Sequence, residues 1–401
     1  MKILYVHQYF RTPDEGGCLR SYHLAKGLVE AGHEVTMITA HNEHSGIKNI
    51  SGIKVQYLKI PYGNHFGFVR RIFAYISFVQ KSIKLITKLG GKFDLAYVMT
   101  TPLTTGWIAL HVKERYNIPY YFEVGDLWPE APIKMGAINN GLVKKWLYSF
   151  EKKCYFEAQR VVALSPAIRN YIEANSPETK VHVLTNFSDV SFFEFHRKIH
   201  SFSDTNPMKV GYIGTFGAAN HLDYLVNVAK ACLEVELPVH FTLMGEGAQY
   251  KTLKKLSLEL PNLRVLPFGN SELVKEVLEA QDAVYVSFKN LEILNTGSPN
   301  KFFDGIAAGK LIILNFGGWL RSLVDKHDVG FYHDPNDPKE FVRKIKVFLA
   351  DTKLLGRYQN NARNLAERYY DKDLQVQKML KMLRNEKHLS VSDSEVYILT
   401  A

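Results

Sequence analysis

Short β-branched runs alternate with helical patterns and are punctuated by glycine, which predicts an α/β fold of two doubly wound parallel-sheet domains. The chain has 401 residues, enough for roughly two or three domains at about 150 residues each. The strand–helix rhythm restarts at Lys209, and the stretch before it, Asp189–Met208, is polar and without a period of either kind. A linker between two domains has that character. The expected division is 1–190, a linker at 191–208 and 209–370, with a helix near 371–388 packing back on the first domain.

In the first half, strands are expected near Ile3–His7, Glu34–Thr39, Val55–Ile60, Asp94–Met99, Tyr120–Val124, Arg160–Ser165 and His182–Thr185. Leu19–Glu30 reads as a helix stopped by Gly32. The second half repeats the pattern with Lys209–Gly214, Val239–Gly245, Arg264–Phe268, Asp282–Phe288, Leu311–Asn315 and Gly330–His333. After the HDPNDP turn the pattern is helical to about Asn385, and Glu386–Ala401 is weakly patterned.

Composition narrows the function classes. A hydrophobic fraction of 46% and a charged fraction of 22% exclude a disordered or fibrous chain. The cysteines Cys18, Cys154 and Cys232 lie far apart with no CxxC, so neither a disulfide framework nor a zinc knuckle is expected, and a reducing compartment suits them. The opening MKILYVHQYF reads as a core strand rather than a leader, and no window has the 18 uncharged apolar residues of a span. The formal net charge is +10, and its distribution is uneven. From His44 through Phe93 there is no acidic residue, while Lys48, Lys54, Lys59, Arg70, Arg71, Lys81, Lys84, Lys88 and Lys92 fall in that window.

Two open sheets facing each other leave a cleft at their strand C-terminal ends, so the loops just after strands are informative. The first is Arg11–Cys18, leading into the helix with Arg20. Gly16 and Gly17 let backbone amides approach a ligand, and the helix start adds partial positive charge; a plain flexible turn is the alternative. The second loop, Gly214–His221 (GTFGAANH), is not a GxGxxG, and no acidic residue closes the next strand, which argues against a dehydrogenase. Gly245-Glu246-Gly247 forms a third tight turn that is either ligand-facing or structural.

The most informative segment is Asn295–Lys310, NTGSPNKFFDGIAAGK. Ser298 suits an N-cap and Pro299 the first helical position. Lys301 then falls in the first turn, where a cation is unfavourable against the helix dipole unless an anion neutralises both; a diphosphate would do so. Asp304 shares a face with Asn300 and Lys301 and could accept hydroxyl hydrogen bonds from a sugar. The alternative is an Asp–Lys surface pair.

The sequence resembles the retaining family 4 glycosyltransferases with the GT-B fold, two Rossmann-like domains facing across a cleft. It is most similar to bacterial capsule, O-antigen and colanic-acid enzymes of fucosamine-transferase-like kind. The resemblance runs in order through GGCLRSYHLAKGLVEAGHEVTMIT, FEVGDLWPE, VVALSPAIRNYI, VLTNFSD, VGYIGTFG, LMGEG, SPNKFFDGIAAGKLIILN and GFYHDPNDP. It implies donor binding mainly by the second domain and acceptor binding mainly by the first. The family's Glu-x7-Glu pattern falls on Thr296 and Asp304, so the ribose-binding carboxylate is shortened to Asp304 and the sugar-facing one is lost to Thr296. The family's Arg and Lys after the first strand of the second domain fall on Thr215 and about His221. Diphosphate neutralisation is thereby assigned to Lys301, the helix start and Arg20. The implied donor site comprises Gly16, Gly17, Arg20, Gly214, Thr215, Gly245, Glu246, Thr296, Ser298, Pro299, Asn300, Lys301 and Asp304.

Asp126, in FEVGDLWPE, is the candidate for orienting the acceptor or a donor hydroxyl, with Glu123 and Glu130 as competitors and a turn-forming role as the alternative. Asp126, Lys301 and Asp304 are the expected catalytic set. His7 either faces the cleft or is a structural hydrogen-bonder, and Asn186 and Asp189 are assigned to the hinge. With no Asp-rich metal motif, metal independence is expected, with no cofactor beyond a nucleotide-sugar substrate, a UDP-linked N-acetylated sugar by resemblance.

Phe66–Lys92 places Phe68, Ile72, Ile76, Val79, Ile83 and Ile86 at helical spacing among cations. It is either a core stripe with a basic outer face or an amphipathic helix on an anionic membrane. The second reading suits a lipid-diphosphate-linked glycan acceptor and a peripheral location on the cytoplasmic face of the plasma membrane. No nucleic-acid-binding fold is recognised. A nucleotide-sugar epimerase and an inactive sugar-nucleotide-binding scaffold are the competing function classes. The donor sugar, the linkage and the oligomeric state are not specified by the sequence.

Overall fold

The computed structural model describes residues 1–63, 66–195 and 201–384. Residues 385–401, including the weakly patterned tail and the end of the expected last helix, lie outside the described residues, as do 196–200 of the expected linker.

The first domain contains β1 (Lys2–Val6), α1 (Arg20–Glu30), β2 (Glu34–His41), β3 (Gly46–Ile50), β4 (Ile53–Lys59), α2 (Phe68–Lys88), β5 (Leu95–Met99) and α3 (Thr105–Tyr116). It continues with β6 (Tyr120–Val124), α4 (Glu130–Lys134), α5 (Gly141–Glu157), β7 (Arg160–Ala163), α6 (Pro166–Asn175) and β8 (Val181–Val183). The sheet order is β3-β4-β2-β1-β5-β6-β7-β8. All neighbours are parallel except β3, which pairs antiparallel with β4. The sequence reading omits β3. It is a solvent-facing edge strand with no buried residue, joined to β4 by Ser51 and Gly52, both at positive φ as a two-residue hairpin turn requires.

The second domain contains β9 (Met208–Ile213), α7 (Asp223–Glu234), β10 (Val239–Gly245), α8 (Tyr250–Leu256), β11 (Leu263–Pro267), α9 (Ser271–Glu279) and β12 (Ala283–Val286). A short 3-10 turn, Glu292–Thr296, precedes α10 (Asn300–Ala307), β13 (Leu311–Leu314), α11 (Trp319–His327), β14 (Gly330–Tyr332), α12 (Pro338–Ala350), α13 (Thr352–Leu365) and α14 (Lys372–Leu383). Its parallel sheet has the order β11-β10-β9-β12-β13-β14. Each chain half winds outward from its first strand and then crosses back, so the switch points fall between β1 and β5 and between β9 and β12. Open α/β sheets bind ligands there.

Continuous apolar strands explain the burial of both sheets on two faces. In the first domain Val6, Val98 and Phe122 pack under α2, α3, α5 and α6. Tyr5, Met37 and Tyr97 pack on the opposite face under α1 and α14, with Met379 and Leu380 in the same cluster. Gly27 of α1 lets α14 close in, since a Cβ there would lie 2.3 Å from Val376. The chain thus crosses between domains at Asn186–Val190 and again at Tyr370–Lys372. The two crossings pair: the Ser188 amide donates to the Tyr370 carbonyl (3.1 Å) and the Lys372 amide to the Ser188 carbonyl (2.9 Å). Lys372 Nζ also meets Asp189 at 2.6 Å.

Candidate active site

The second domain builds its half of the site around Lys301. Its Nζ donates to Asn220 Oδ1 (3.3 Å) and lies 4.8 Å from the Tyr212 ring centre and 5.6 Å from that of Phe288. Only a glycine at 214 leaves room for this path, because a Cβ there would approach Lys301 Cε to 2.9 Å. Among the described residues no carboxylate pairs with Lys301, and burial pulls its pKa from 10.5 down to about 8. A half-buried ammonium on the first turn of a helix, with no carboxylate partner among the described residues, is an arrangement that suits an anion.

Asp304, one turn on, accepts from Ser188 Oγ at 2.8 Å. Burial raises its carboxyl to about 6, the Ser188 hydrogen bond opposing the shift. Ser188 sits in the paired hinge, so Asp304 is anchored to the crossing between domains.

The turn before α10 faces the first domain. The Asn186 amide donates to Ser298 Oγ (3.3 Å), and the Asn186 side chain donates to the Ser298 carbonyl. The expected capping role of Ser298 is corrected by these contacts: the helix begins at Asn300 with Pro299 as its N-cap, and no side-chain cap forms. The Asn300 side chain faces the Cys18 thiol, opposing the upward push of burial on it. Ser165 Oγ donates to the Thr296 carbonyl at 2.6 Å, while the Thr296 hydroxyl donates to the Ile293 carbonyl. Thr296 therefore serves as an interdomain clamp through its backbone.

Gly16 and Gly17 divide their roles. A Cβ on Gly16 would lie 2.6 Å from the Gly269 carbonyl oxygen of the second domain. Beside it, Ser271 Oγ donates to the Pro13 carbonyl at 2.8 Å. Gly17 is exposed, and a Cβ there would meet only Arg11 Cγ at 3.8 Å. Both have positive φ.

Arg20 is placed differently from expectation. It is buried, with Nε and Nη2 on the Glu123 carboxylate (3.1 and 3.0 Å) and further donations to the Thr185 and Leu184 carbonyls. Tyr97 also donates to Glu123. Two buried charges satisfy each other, so in this structure Arg20 is not presented to the cleft and Glu123 does not compete for the acceptor role. Glu130 is likewise engaged, by the Tyr148 hydroxyl and Lys134. His7 is buried against Ser21 Oγ (2.7 Å), and burial with the Arg20 charge lowers it to about 3, so it is a neutral structural hydrogen-bonder.

Asp126 is exposed to solvent, yet its carboxyl is raised by desolvation, with the Thr101 hydroxyl opposing the shift. Its loop runs into α4, which abuts the Glu292–Thr296 turn of the second domain. Thr215 is exposed at the β9 end, and its carbonyl accepts from the Tyr212 hydroxyl. Gly245 is buried, where a Cβ would strike the Gly214 carbonyl oxygen at 1.8 Å; the exposed Glu246 contributes its carbonyl to the Phe216 amide. His221 has positive φ and stacks on Tyr224. Asn220, Ser188 and Cys18 were not singled out from sequence. Their quoted motifs (GTFGAANH, NFSD, GGCLR) contain them, but only the fold brings each against α10. Among the described residues no three His, Cys, Asp or Glu converge as a metal cluster.

Comparisons agree with this architecture. A family model described as a glycosyl transferase 4-like domain matches residues 16–186, and one described as glycosyl transferases group 1 matches 193–365. An uncharacterised glycosyltransferase of Methanocaldococcus jannaschii is 22% identical, covering 86% of this chain and 88% of the relative. Sucrose-phosphate synthase of Thermosynechococcus elongatus superposes with a TM-score of 0.75 at 15% identity, covering 97% of this chain and 100% of that one. HepE of Anabaena, solved with UDP-glucose, gives a TM-score of 0.69 at 16% identity over 96% and 99%. The chain is a glycosyltransferase of the GT-B type, a glycosyl transferase 4-like domain joined to a group 1 domain.

Proposed function

We propose that the chain transfers a sugar, with retention, from a nucleotide-diphosphate sugar to a hydroxyl of a lipid-diphosphate-linked glycan, as a step in building a cell-surface polysaccharide. The observation that carries the donor half is Lys301, a half-buried cation in the first turn of α10 with no carboxylate partner among the described residues. A UDP-linked N-acetylated sugar is the proposed donor; a structural neighbour, HepE, was solved with UDP-glucose.

In the proposed reaction the bond from the anomeric carbon to the diphosphate oxygen breaks and the bond to the acceptor oxygen forms on the same face. The acceptor proton passes to the departing diphosphate oxygen. Charge accumulates on that diphosphate in the transition state, so Lys301 and the α10 amides lower the barrier by stabilising it more as it leaves. They supply the positive charge that a metal would otherwise bring. Asp304 accepts ribose hydroxyls, and Asp126 orients the acceptor hydroxyl. The basic α2 segment holds the enzyme at the membrane where such an acceptor resides.

A thermal-shift screen of nucleotide sugars identifies base and sugar together, since a bound ligand raises apparent stability by mass action. Product analysis with a lipid-linked acceptor follows. No rise with any nucleotide sugar refutes the donor site; donor binding without transfer to any lipid acceptor favours a scaffold.

A further inference from the structure

We propose that the first turns of α5 join the first half of α2 in a single docking face for an anionic lipid bilayer. The inference rests on the membrane-acceptor reading above and adds a second anchor, one that the basic segment 66–92 does not contain.

On α2, Val69, Ile72, Phe73 and Ile76 are exposed, Val69 and Phe73 by 65% and 68%. Their spacing of three, four and seven residues puts them on one stripe. The core side of the helix is a different stripe, Ala74, Phe78, Val79 and Ile86. Helix α2 therefore has two apolar faces, and one has no cover among the described residues. On α5, Leu142 is 82% exposed, with Val143 and Trp146 exposed beside it. The Trp146 ring is held rather than loose: it stacks on Phe150 with the planes 4° apart and meets Trp107 of α3 at 5.9 Å.

Both patches lie on the same side of the first sheet. Helices α2, α3 and α5 share one core cluster, and α3 packs against both of the others. The two helices follow β4 and β6, which end toward the cleft, so the face borders the acceptor half of the site. Adjacent helices pack 8–10 Å apart, which places the two patches roughly 20 Å from each other.

Charge selects the occupant. The window from His44 through Phe93 lacks acids, and so does Ala131–Phe150, which carries Lys134, Lys144 and Lys145. Lys144 and Lys145 flank the apolar tip of α5 directly. A second copy docked by the same patch would set one cationic rim against another, because a two-fold interface is self-complementary. Anionic headgroups over an acyl layer match both the apolar anchors and the rim.

The test is co-sedimentation of the full chain with vesicles of phosphatidylglycerol and phosphatidylethanolamine, and with phosphatidylcholine alone. Wild type sediments with the anionic vesicles and far less with the neutral ones. The pair Leu142→Ser/Val143→Ser lowers partitioning by about tenfold or more, as does Val69→Ser/Phe73→Ser, because each removes two exposed anchors. Lys144→Gln/Lys145→Gln lowers it about fivefold per charge. All of these positions but the half-buried Lys144 are exposed, and unchanged melting temperatures check that each variant is folded. An α5 variant that sediments like wild type overturns the proposal, and so does equal binding to neutral vesicles. Loss of a dimer by light scattering in the α5 variant assigns the face to a second copy instead. Nucleotide-sugar binding is read on the same variants: docking without it refutes the donor site alone, whereas nucleotide binding with no docking refutes this face alone.

Discussion

Replacing Lys301 with Met separates what the site needs for folding from what it needs for its ligand. Burial takes the Lys301 pKa from 10.5 to about 8. At about 1.4 kcal/mol per factor of ten, the charged form is roughly 3 kcal/mol less favourable in the empty cleft than in water. It is nevertheless charged at neutral pH, so the apo enzyme carries that penalty. Met has similar length and keeps the contacts with the Tyr212 and Phe288 rings. It loses the 3.3 Å hydrogen bond to Asn220 and the cation–ring attraction, an offset of about 2 kcal/mol. The expected net effect is about 1 kcal/mol of added stability, or ~2–4 °C in melting temperature for a domain of this size. Differential scanning calorimetry without nucleotide measures it. The sign with pH follows from a depressed folded-state pKa: the folded chain holds fewer protons than the unfolded one between about 8 and 10.5, so wild-type stability rises there and the advantage of Met fades. Nucleotide-sugar affinity moves oppositely, falling at least about 100-fold, because one side of a desolvated ion pair is gone. A variant that melts below wild type, or one that binds the donor undiminished, refutes the reasoning.

Asp304 sets the acid limit. Its carboxyl is raised to about 6, so it protonates as pH falls through that value, and UDP-glucose binding measured by calorimetry weakens between about pH 7 and about pH 5. The diphosphate diester of that donor does not titrate in this range; Asp304→Asn should bind weakly with a flat profile, and an unchanged profile would sink the assignment. For the apo chain the sign is opposite: a raised carboxyl means stability contributed below about 4 is lost as pH rises to about 6. Arg20→Met leaves Glu123 buried and unpaired at a cost of about 3–5 kcal/mol, and Arg20→Met/Glu123→Gln regains most of it in urea denaturation. Equal losses in the single and double variants would show that the pair is not what Arg20 provides.

Strand positions and helix stops were legible because their signals are local: a β-branched run, a glycine with room for positive φ, a period of 3.6. Edge strand β3 escaped because it buries nothing, so its pairing with β4 leaves no alternating pattern. The candidate site was legible as a set of loops, since parallel sheets present their strand C-terminal ends together. What each side chain does there depended on partners distant in sequence. Arg20 read as a free cation until Glu123, 103 positions away, closed on it. Ser298 read as a cap until Asn186 reached it across the hinge. The exposed tip of α5 gave no sign because Leu142, Val143 and Trp146 read as core in any hydrophobic pattern.

The Gly16–Gly17 pair shows how one sequence signal carries two physical demands. A glycine pair after the first strand suggests close approach of backbone to a ligand, and either residue satisfies that description. In the structure the approach at Gly16 is made by protein: the Gly269 carbonyl oxygen occupies the place of its Cβ at 2.6 Å. Gly17, with positive φ and no second-domain atom within 4 Å of its Cβ position, keeps its open side. A side chain on Gly16 would therefore push the lobes apart, whereas one on Gly17 would strain the turn without touching the second domain. Interdomain contact and the open side of the turn fall to adjacent residues, and the same loop brings Cys18 against Asn300, one residue before Lys301.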